Sequence, residues 1–169
     1  KNNMHILLTR PLEDCSNMIL KFKSLGHKIS HLPLLIVEPI KYNLKDIINL
    51  RAIIFTSTNA IKFLDTKDLK KNIFCFCVGS ATEKRARNVG FQNVFAADGN
   101  VRNLKELILQ NFDHSLGKIV YVSGELLASN LDDELIQSGY NLKRVINYRT
   151  KHNKILNNEF VEQLKLDIP

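Results

Sequence analysis

Tryptophan is absent from this 169-residue chain, and methionine (2), cysteine (3), proline (4) and glycine (7) are scarce. So little glycine and proline excludes collagen-like and low-complexity classes, and 44% hydrophobic residues beside 24% charged is the make-up of an ordinary globular protein rather than a disordered one or a coiled coil. Long apolar runs are missing too. Nothing approaches the roughly 20 consecutive apolar residues of a membrane-spanning helix, and the opening KNNMHILLTRP is too brief for a secretory signal. The expectation is a soluble cytoplasmic protein without a membrane partner.

Three cysteines are an odd number, Cys15, Cys75 and Cys77. Cys75 and Cys77 stand two apart and would be neighbours on one face of a strand. Buried reduced thiols are expected there in preference to a disulfide or a metal site. The histidines, His5, His27, His31, His114 and His152, show no zinc-type spacing with them, so no metal is expected. Acidic residues are the minority, 17 against 24 basic ones, for a net charge of +7. That surplus attracts polyanions. It is lysine-heavy, 17 Lys to 7 Arg, and compositional drift would also produce it. No basic cluster interleaved with aromatics marks a nucleic-acid groove. The charge permits an anionic small molecule and no nucleic-acid partner is expected.

What the chain does have is alternation. Short β-branched or apolar runs, turns rich in Ser, Thr or Gly, and stretches of helical periodicity follow one another, the signature of βα units on a parallel sheet. The pattern predicts a strand over 4–9, a helix over 11–25 closed by Gly26, and a strand over 28–32. Residues 33–39, bracketed by prolines, read as an extended linker. Alternation resumes with helix 44–50, strand 52–55, helix 59–64, strand 73–78, helix 82–89, strand 93–96, helix 101–112, strand 118–122, helix 128–137 and strand 142–147. Five strands alternating with helices make a flavodoxin-like doubly wound domain. Residues 148–153 read as a second, polar linker, and 158–166 as a further helix. A shift of 113 positions lays Leu8, Leu25-Gly26 and Ile29 on Tyr121, Ser138-Gly139 and Leu142. Two related lobes, or convergence on a common α/β unit, would each give this.

In open parallel sheets, ligands bind beyond the carboxyl ends of strands, where helix N-termini offer unpaired N–H groups. Four such corners stand out: Thr9-Arg10-Pro11, Thr56-Ser57-Thr58-Asn59, Gly79-Ser80-Ala81-Thr82-Glu83 and Ser123-Gly124-Glu125. Gly79 would let a ligand approach the backbone, and Ser80 with Glu83 has the form of a capping box. Helix capping alone accounts for any one corner; several on one edge describe an anion-binding rim. No Gly-x-Gly-x-x-Gly, no Gly-x-x-x-x-Gly-Lys-Ser/Thr and no Gly-x-Ser-x-Gly elbow is present, so dinucleotide, P-loop and hydrolase chemistry lack support.

Leu8-Thr9-Arg10-Pro11, Leu32-Pro33-Leu34, Ile54-Phe55-Thr56-Ser57-Thr58-Asn59-Ala60, Val78-Gly79-Ser80-Ala81-Thr82 and Val145-Ile146-Asn147-Tyr148-Arg149-Thr150 occur in this order and spacing. The set resembles the uroporphyrinogen-III synthases over nearly the whole chain. The resemblance implies two flavodoxin-like α/β lobes, parallel sheets flanked by helices, joined by a two-stranded linker. Residues 1–33 would begin the first lobe, 34–150 would form the complete second lobe with its linkers, and 151–169 would start the return into the first. Family members continue beyond the position of Pro169 with a Ser-Pro corner, a Gly-Pro-Thr-Thr-Ala corner and a last helix, so the first lobe is expected to be incomplete here.

The implied activity is closure of hydroxymethylbilane, a linear tetrapyrrole with eight carboxylates, to uroporphyrinogen III, in tetrapyrrole and haem biosynthesis. Water is lost, an azafulvene forms, and a spiro intermediate inverts the last pyrrole. Neither cofactor nor metal is implied, and a monomer is expected. By the resemblance Tyr148 sits at the family's characteristic tyrosine, where its phenol would assist the departing hydroxyl; an aromatic plug between linker and sheet is the alternative. Thr82 falls on a family threonine. Ser57, Gly79, Ser80, Ser123 and Gly124 would offer donors to the substrate carboxylates. Arg10 would pair with a carboxylate, or serve in a structural ion pair. The competing class is a non-catalytic flavodoxin-like domain that binds an anionic metabolite. A phosphoacceptor receiver is disfavoured because the strand ends carry Thr9, Thr56, Gly79 and Ser123 where acidic residues would be required.

Overall fold

A computed structural model describes residues 2–152 together with Glu162 and Lys165. The helix expected over 158–166 otherwise lies outside the described residues. The chain divides into two compact units, Lys1–Glu38 with Thr150–Pro169, and Pro39–Arg149.

The first unit opens with β1 (His5–Leu8), α1 (Leu12–Ser24) and β2 (Lys28–His31). The strands pair in parallel, His5 with Lys28 through Leu8 with His31. α1 ends where its sequence says it should. Gly26 takes φ +84°, its N–H donates to the Lys23 carbonyl and that of His27 to the Phe22 carbonyl. This is a Schellman cap, which needs a left-handed residue and so favours glycine. Cys15 on α1 is buried. β3 (Leu35–Pro39) is extended, as expected of a segment that runs into prolines.

The second unit starts with a 3-10 turn, Leu44–Ile47, where helical periodicity predicted a helix over 44–50. Ile48 is already extended and Asn49 turns left-handed at φ +55°, so the helix stops after one turn. Then follow β4 (Ala52–Phe55), α2 (Thr58–Lys62), β5 (Phe74–Val78), α3 (Ser80–Asn88), β6 (Asn93–Ala97), α4 (Val101–Asn111), a 3-10 turn His114–Leu116, β7 (Ile119–Gly124), α5 (Leu131–Gln137) and β8 (Leu142–His152). The strands lie in the order β3-β8-β7-β4-β5-β6. Every pairing from β8 to β6 is parallel.

The strand order refines the fold expectation. Counted along the chain from β4, the five parallel strands run 3-2-1-4-5, whereas a flavodoxin-like sheet runs 2-1-3-4-5. Counting from β7, through β8 and back to β4, restores 2-1-3-4-5, so the sheet is a circular permutation of the flavodoxin arrangement. Strand alternation sorts the core into two layers. Ile53, Phe55, Cys75, Cys77, Val120, Val122 and Val145 face α2 and α3, packing against Ala60, Ile61 and Ala86. Ile54, Phe76, Ile119 and Tyr121 face α4 and α5, against Leu104, Ile108, Leu131 and Leu135. Phe55 and Phe76 are fully buried, each stabilising the fold by about 1.5–3 kcal/mol. The thiols of Cys75 and Cys77 lie 3.8 Å apart, both buried and both free.

β8 runs on to His152, although residues 148–153 read as an unpatterned linker. Past Gly124 it has no more of β7 to pair with. The Ile40 N–H donates to the Asn147 carbonyl (2.8 Å), and Lys151 pairs with Glu38 (2.8 Å). Solvent on the exposed residues 150–152 explains their polar sequence.

The shifted sequence similarity has a counterpart in backbone geometry. β1-α1-β2 and β7-α5-β8 both join parallel neighbours, His5 to Lys28 and Ile119 to Leu142, each pair 23 residues apart. Gly139 (φ +94°) closes α5 with the same pair of hydrogen bonds that Gly26 uses on α1.

Candidate active site

In the second unit's sheet, the direction in which strands are added reverses between β4 and β7. Connections leave β4 toward β5 on one side, while β7 and β8 lie on the other. Such a switch point opens a crevice at the carboxyl ends of the strands in a doubly wound sheet. Tyr148 on β8, Ser123 and Gly124 on β7, Ser57 after β4, and Gly79, Ser80 and Thr82 after β5 all lie along this edge. Arg10 belongs to the first unit, where its exposed guanidinium stands 3.7 Å from Asp14.

The β7–β8 end carries the most specific geometry. Ser123 pairs with Ile146, but Gly124 pairs with Tyr148, so Asn147 is an extra residue and β8 bulges. A bulge re-aims the side chains around it. Without it, strict alternation would set Tyr148 on the face opposite Val145; with it, Tyr148 packs against the same core layer as Val145. Its ring lies directly over Gly124: a Cβ on that glycine would come within 2.8 Å of Cε2 and Cζ and 3.1 Å of the phenol oxygen. Phe63, at the end of α2, flanks the ring with centroids 6.5 Å apart. The Tyr148 carbonyl accepts a hydrogen bond from the Glu125 N–H (2.9 Å).

Ser123 is buried, its Oγ donating to the Gly124 carbonyl (3.0 Å) and accepting from Arg144 Nε (2.9 Å). Ser57 caps α2, its Oγ accepting from the Asn59 N–H (3.2 Å). Ser80 forms no capping box. Gly79 occupies the cap position, Ser80 is already helical, no side chain caps α3, and the Glu83 carboxylate is 3.2 Å from Arg87. Among the described residues, no side chain therefore caps the first amides of α3. Gly79 holds φ +84° with ψ 154°, a conformation almost confined to glycine. Thr82 is buried in the first turn of α3.

Sequence reading missed three contributors, Tyr121, Arg144 and Asn147. Tyr121 Oη and Thr56 Oγ1 meet at 3.3 Å across the switch point. Burial pushes the Tyr121 phenol up, with the Thr56 hydrogen bond opposing. Arg144 spans the end of β7. Asn147 is fully buried, and its Nδ2 donates to the Ala60 carbonyl of α2 (2.8 Å) while Oδ1 has no partner among the described residues. The available signal for Asn147 was an amide between the apolar Ile146 and Tyr148; Arg144, beside the exposed Lys143, carried none that set it apart. A cavity of about 580 Å³ opens at the opposite edge, around Ile47–Arg51 and Asp68–Phe74, and none of the expected site residues lines it. Among the described residues, no group of three or more His, Cys, Asp or Glu is placed to hold a metal. No described helix is long and apolar enough to cross a membrane.

A family model described as Uroporphyrinogen-III synthase HemD matches residues 16–168. The chain belongs to the uroporphyrinogen-III synthase family. A mutant uroporphyrinogen III synthase from the extremely thermophilic bacterium Thermus thermophilus matches with a TM-score of 0.61 at 13% identity, covering 90% of this chain and 64% of that one. The uroporphyrinogen-III synthetase of Helicobacter pylori 26695 matches at 0.56 and 19% identity, over 97% of this chain and 68% of that one. At these identities the likeness establishes the shared α/β fold of the synthase family. The chain thus spans less than two thirds of the Thermus protein's length. The curated proteins yield no match.

Proposed function

We propose that the protein is a uroporphyrinogen-III synthase. It would convert hydroxymethylbilane to uroporphyrinogen III with loss of one water and inversion of the terminal pyrrole ring, in tetrapyrrole and haem biosynthesis. The observation that carries this reading is the Tyr148 phenol seated on Gly124 by the β8 bulge, at the switch-point edge. In the proposed reaction the phenol hydrogen-bonds the terminal hydroxyl as it leaves, and the proton that completes the water is drawn toward that oxygen. The azafulvene so formed is attacked by the substituted carbon of the last pyrrole, giving the spiro intermediate. Its fragmentation and reclosure exchange the ring's two attachment points, and loss of a proton restores aromaticity. Uncatalysed closure competes and gives the uninverted isomer, so holding the substrate is the larger task.

The first amides of α3, the backbone beside Gly79, Ser123 and Gly124, and the hydroxyls of Ser57, Ser80 and Thr82 are the proposed seats for acetate and propionate groups. Arg10 is assigned to a further carboxylate. The +7 charge suits an octa-anionic substrate. We assign 1–33 and 151–169 to the first of two α/β lobes and 34–150 to the second with its linkers, β3 and β8 supplying the two-stranded connection. The division of the chain inside both strands supports this assignment. We further take the protein to be a cytoplasmic monomer.

The test is incubation with hydroxymethylbilane and chromatographic separation of the two uroporphyrinogen isomers. The inverted isomer is expected to dominate, and Tyr148→Phe to slow its formation with the circular dichroism spectrum unchanged. Exclusive formation of the uninverted isomer at the spontaneous rate would overturn the reading. Unchanged single-turnover closure by Tyr148→Phe would remove the phenol from the mechanism.

A further inference from the structure

Arg144 lies opposite Tyr121 in the β7–β8 register, yet its guanidinium reaches well beyond that pair. Nε donates to Ser123 Oγ (2.9 Å), and Nη2 donates to the carbonyls of Gly124 and Glu125 (2.8 Å each). Ser123 Oγ in turn donates to the Gly124 carbonyl (3.0 Å). Three consecutive residues at the end of β7 are thus tied to one side chain, half-buried, whose partners there are all neutral. The flat guanidinium fork presents its donors in fixed directions, which an ammonium cannot reproduce.

Those three residues hold Tyr148 in two ways. Gly124 is the floor beneath its ring, and the Glu125 N–H is the donor to its carbonyl (2.9 Å). The β8 bulge frees Tyr148 from plain alternation, so the local ladder alone does not determine where the ring lies. We propose that Arg144 is a positioning residue for Tyr148: by clasping 123–125 it fixes both the floor and the backbone tether of the ring. The proposal rests on the reading of Tyr148 given above for its catalytic consequence, but not for its structural content. Arg144 itself touches no reacting atom.

The test uses protein labelled with carbon-13 in the rings of its four tyrosines, Tyr42, Tyr121, Tyr140 and Tyr148. Tyr148→Phe assigns the Tyr148 resonance by its disappearance. In the ligand-free protein, Arg144→Gln and Arg144→Lys are expected to shift that resonance while those of Tyr42 and Tyr140 stay in place. With hydroxymethylbilane, turnover is expected to fall about tenfold or more and KM to change less than about threefold, with lysine giving no rescue. An unmoved Tyr148 resonance in folded Arg144→Gln would overturn the proposal, as would parental turnover. Should both variants fail to fold, Ser123→Ala removes the hydroxyl that bridges Arg144 to Gly124. A smaller shift of the same resonance is expected, and its absence would equally overturn the proposal. If the parent protein forms no inverted isomer, the proposed function fails, and the ligand-free resonances still decide whether Arg144 positions Tyr148.

Discussion

Gly124→Ala acts directly on the placement of Tyr148. Gly124 lacks the positive φ that would exclude alanine, and its carbonyl is held by Arg144, so the backbone accepts the new residue where it stands. The added Cβ meets the Tyr148 ring at 2.8 Å. Carbon atoms rest at about 3.5–4.0 Å, so the ring must move by roughly 0.7–1.2 Å. Displacement of a reacting group by about 1 Å costs on the order of 10²-fold in rate, which corresponds to about 2.7 kcal/mol of barrier. The fold should feel less. Overpacking costs about 1–3 kcal/mol, offset by the roughly 0.4–1 kcal/mol that alanine gains over glycine through the unfolded chain. Single-turnover closure of hydroxymethylbilane, read as the rate of the inverted isomer, should therefore drop about a hundredfold while the thermal midpoint falls only a few degrees. In a Tyr148→Phe background the same substitution should cost little more, because the hydroxyl whose position it disturbs is already gone. Parental closure by Gly124→Ala alongside slow closure by Tyr148→Phe would refute the reasoning, since the phenol would then act wherever its ring lay.

Gly79→Ala makes the opposite perturbation: no described residue lies within 4 Å of the new Cβ, but φ +84° with ψ 154° is strained for any L side chain, so a loss of about 1–3 kcal/mol in chemical denaturation is expected. The Cys75 thiol is pushed up from its ordinary value of 9.0, first by its hydrogen bond with Cys77 and then by burial. A raised folded pKa stabilises the fold fully below pH 9 and less as pH rises above it, so stability should decline at alkaline pH and the decline should be shallower in Cys75→Ala. Neither Cys75 nor Cys77 should react with a thiol reagent at neutral pH until the protein unfolds, and rapid labelling of both in native protein would contradict their burial. Asn147→Ala leaves the Ala60 carbonyl without its partner and should destabilise by about 1–3 kcal/mol in urea titration; a neutral outcome would mean that α2 finds another partner for that carbonyl.

The strands and helices were legible because their cause is local. β-branched runs such as Ala52–Phe55 and Ile119–Val122 are buried on both faces, and parallel strands of that kind carry a near-continuous apolar sequence. Gly26 and Gly139 mark helix ends for a reason contained in one dihedral angle. What stayed illegible depends on which strands become neighbours. The permuted order β8-β7-β4-β5-β6 follows from no local propensity, and the sequence alternation is the same for 2-1-3-4-5 and 3-2-1-4-5. The Ser80–Glu83 pattern misled for a related reason: a capping box and an i to i+4 Glu83–Arg87 pair use the same carboxylate, and Gly79 decides between them by taking the cap position.

The same distinction explains which part of the site could be read in advance. Each strand-end corner is a run of small polar residues, visible one at a time in the sequence. The relation that gives Tyr148 its place is nonlocal, joining Gly124 to a residue 24 positions later through a bulge that only the register reveals. Arg144 compounds this, because its three partners lie on or just beyond another strand and two of them are backbone carbonyls, which leave no trace in side-chain chemistry. A charged residue on an interior strand either turns its charge outward, as Lys143 does in pairing with Asp46 (2.8 Å), or finds acceptors across the ladder. Arg144 follows the second course, and the partners it finds are the ones beneath and beside Tyr148. The polar interruptions Arg144 and Asn147 of β8 therefore belong to one device: the amide accommodates the bulge against α2, and the guanidinium fixes the neighbouring strand on which the re-aimed tyrosine rests.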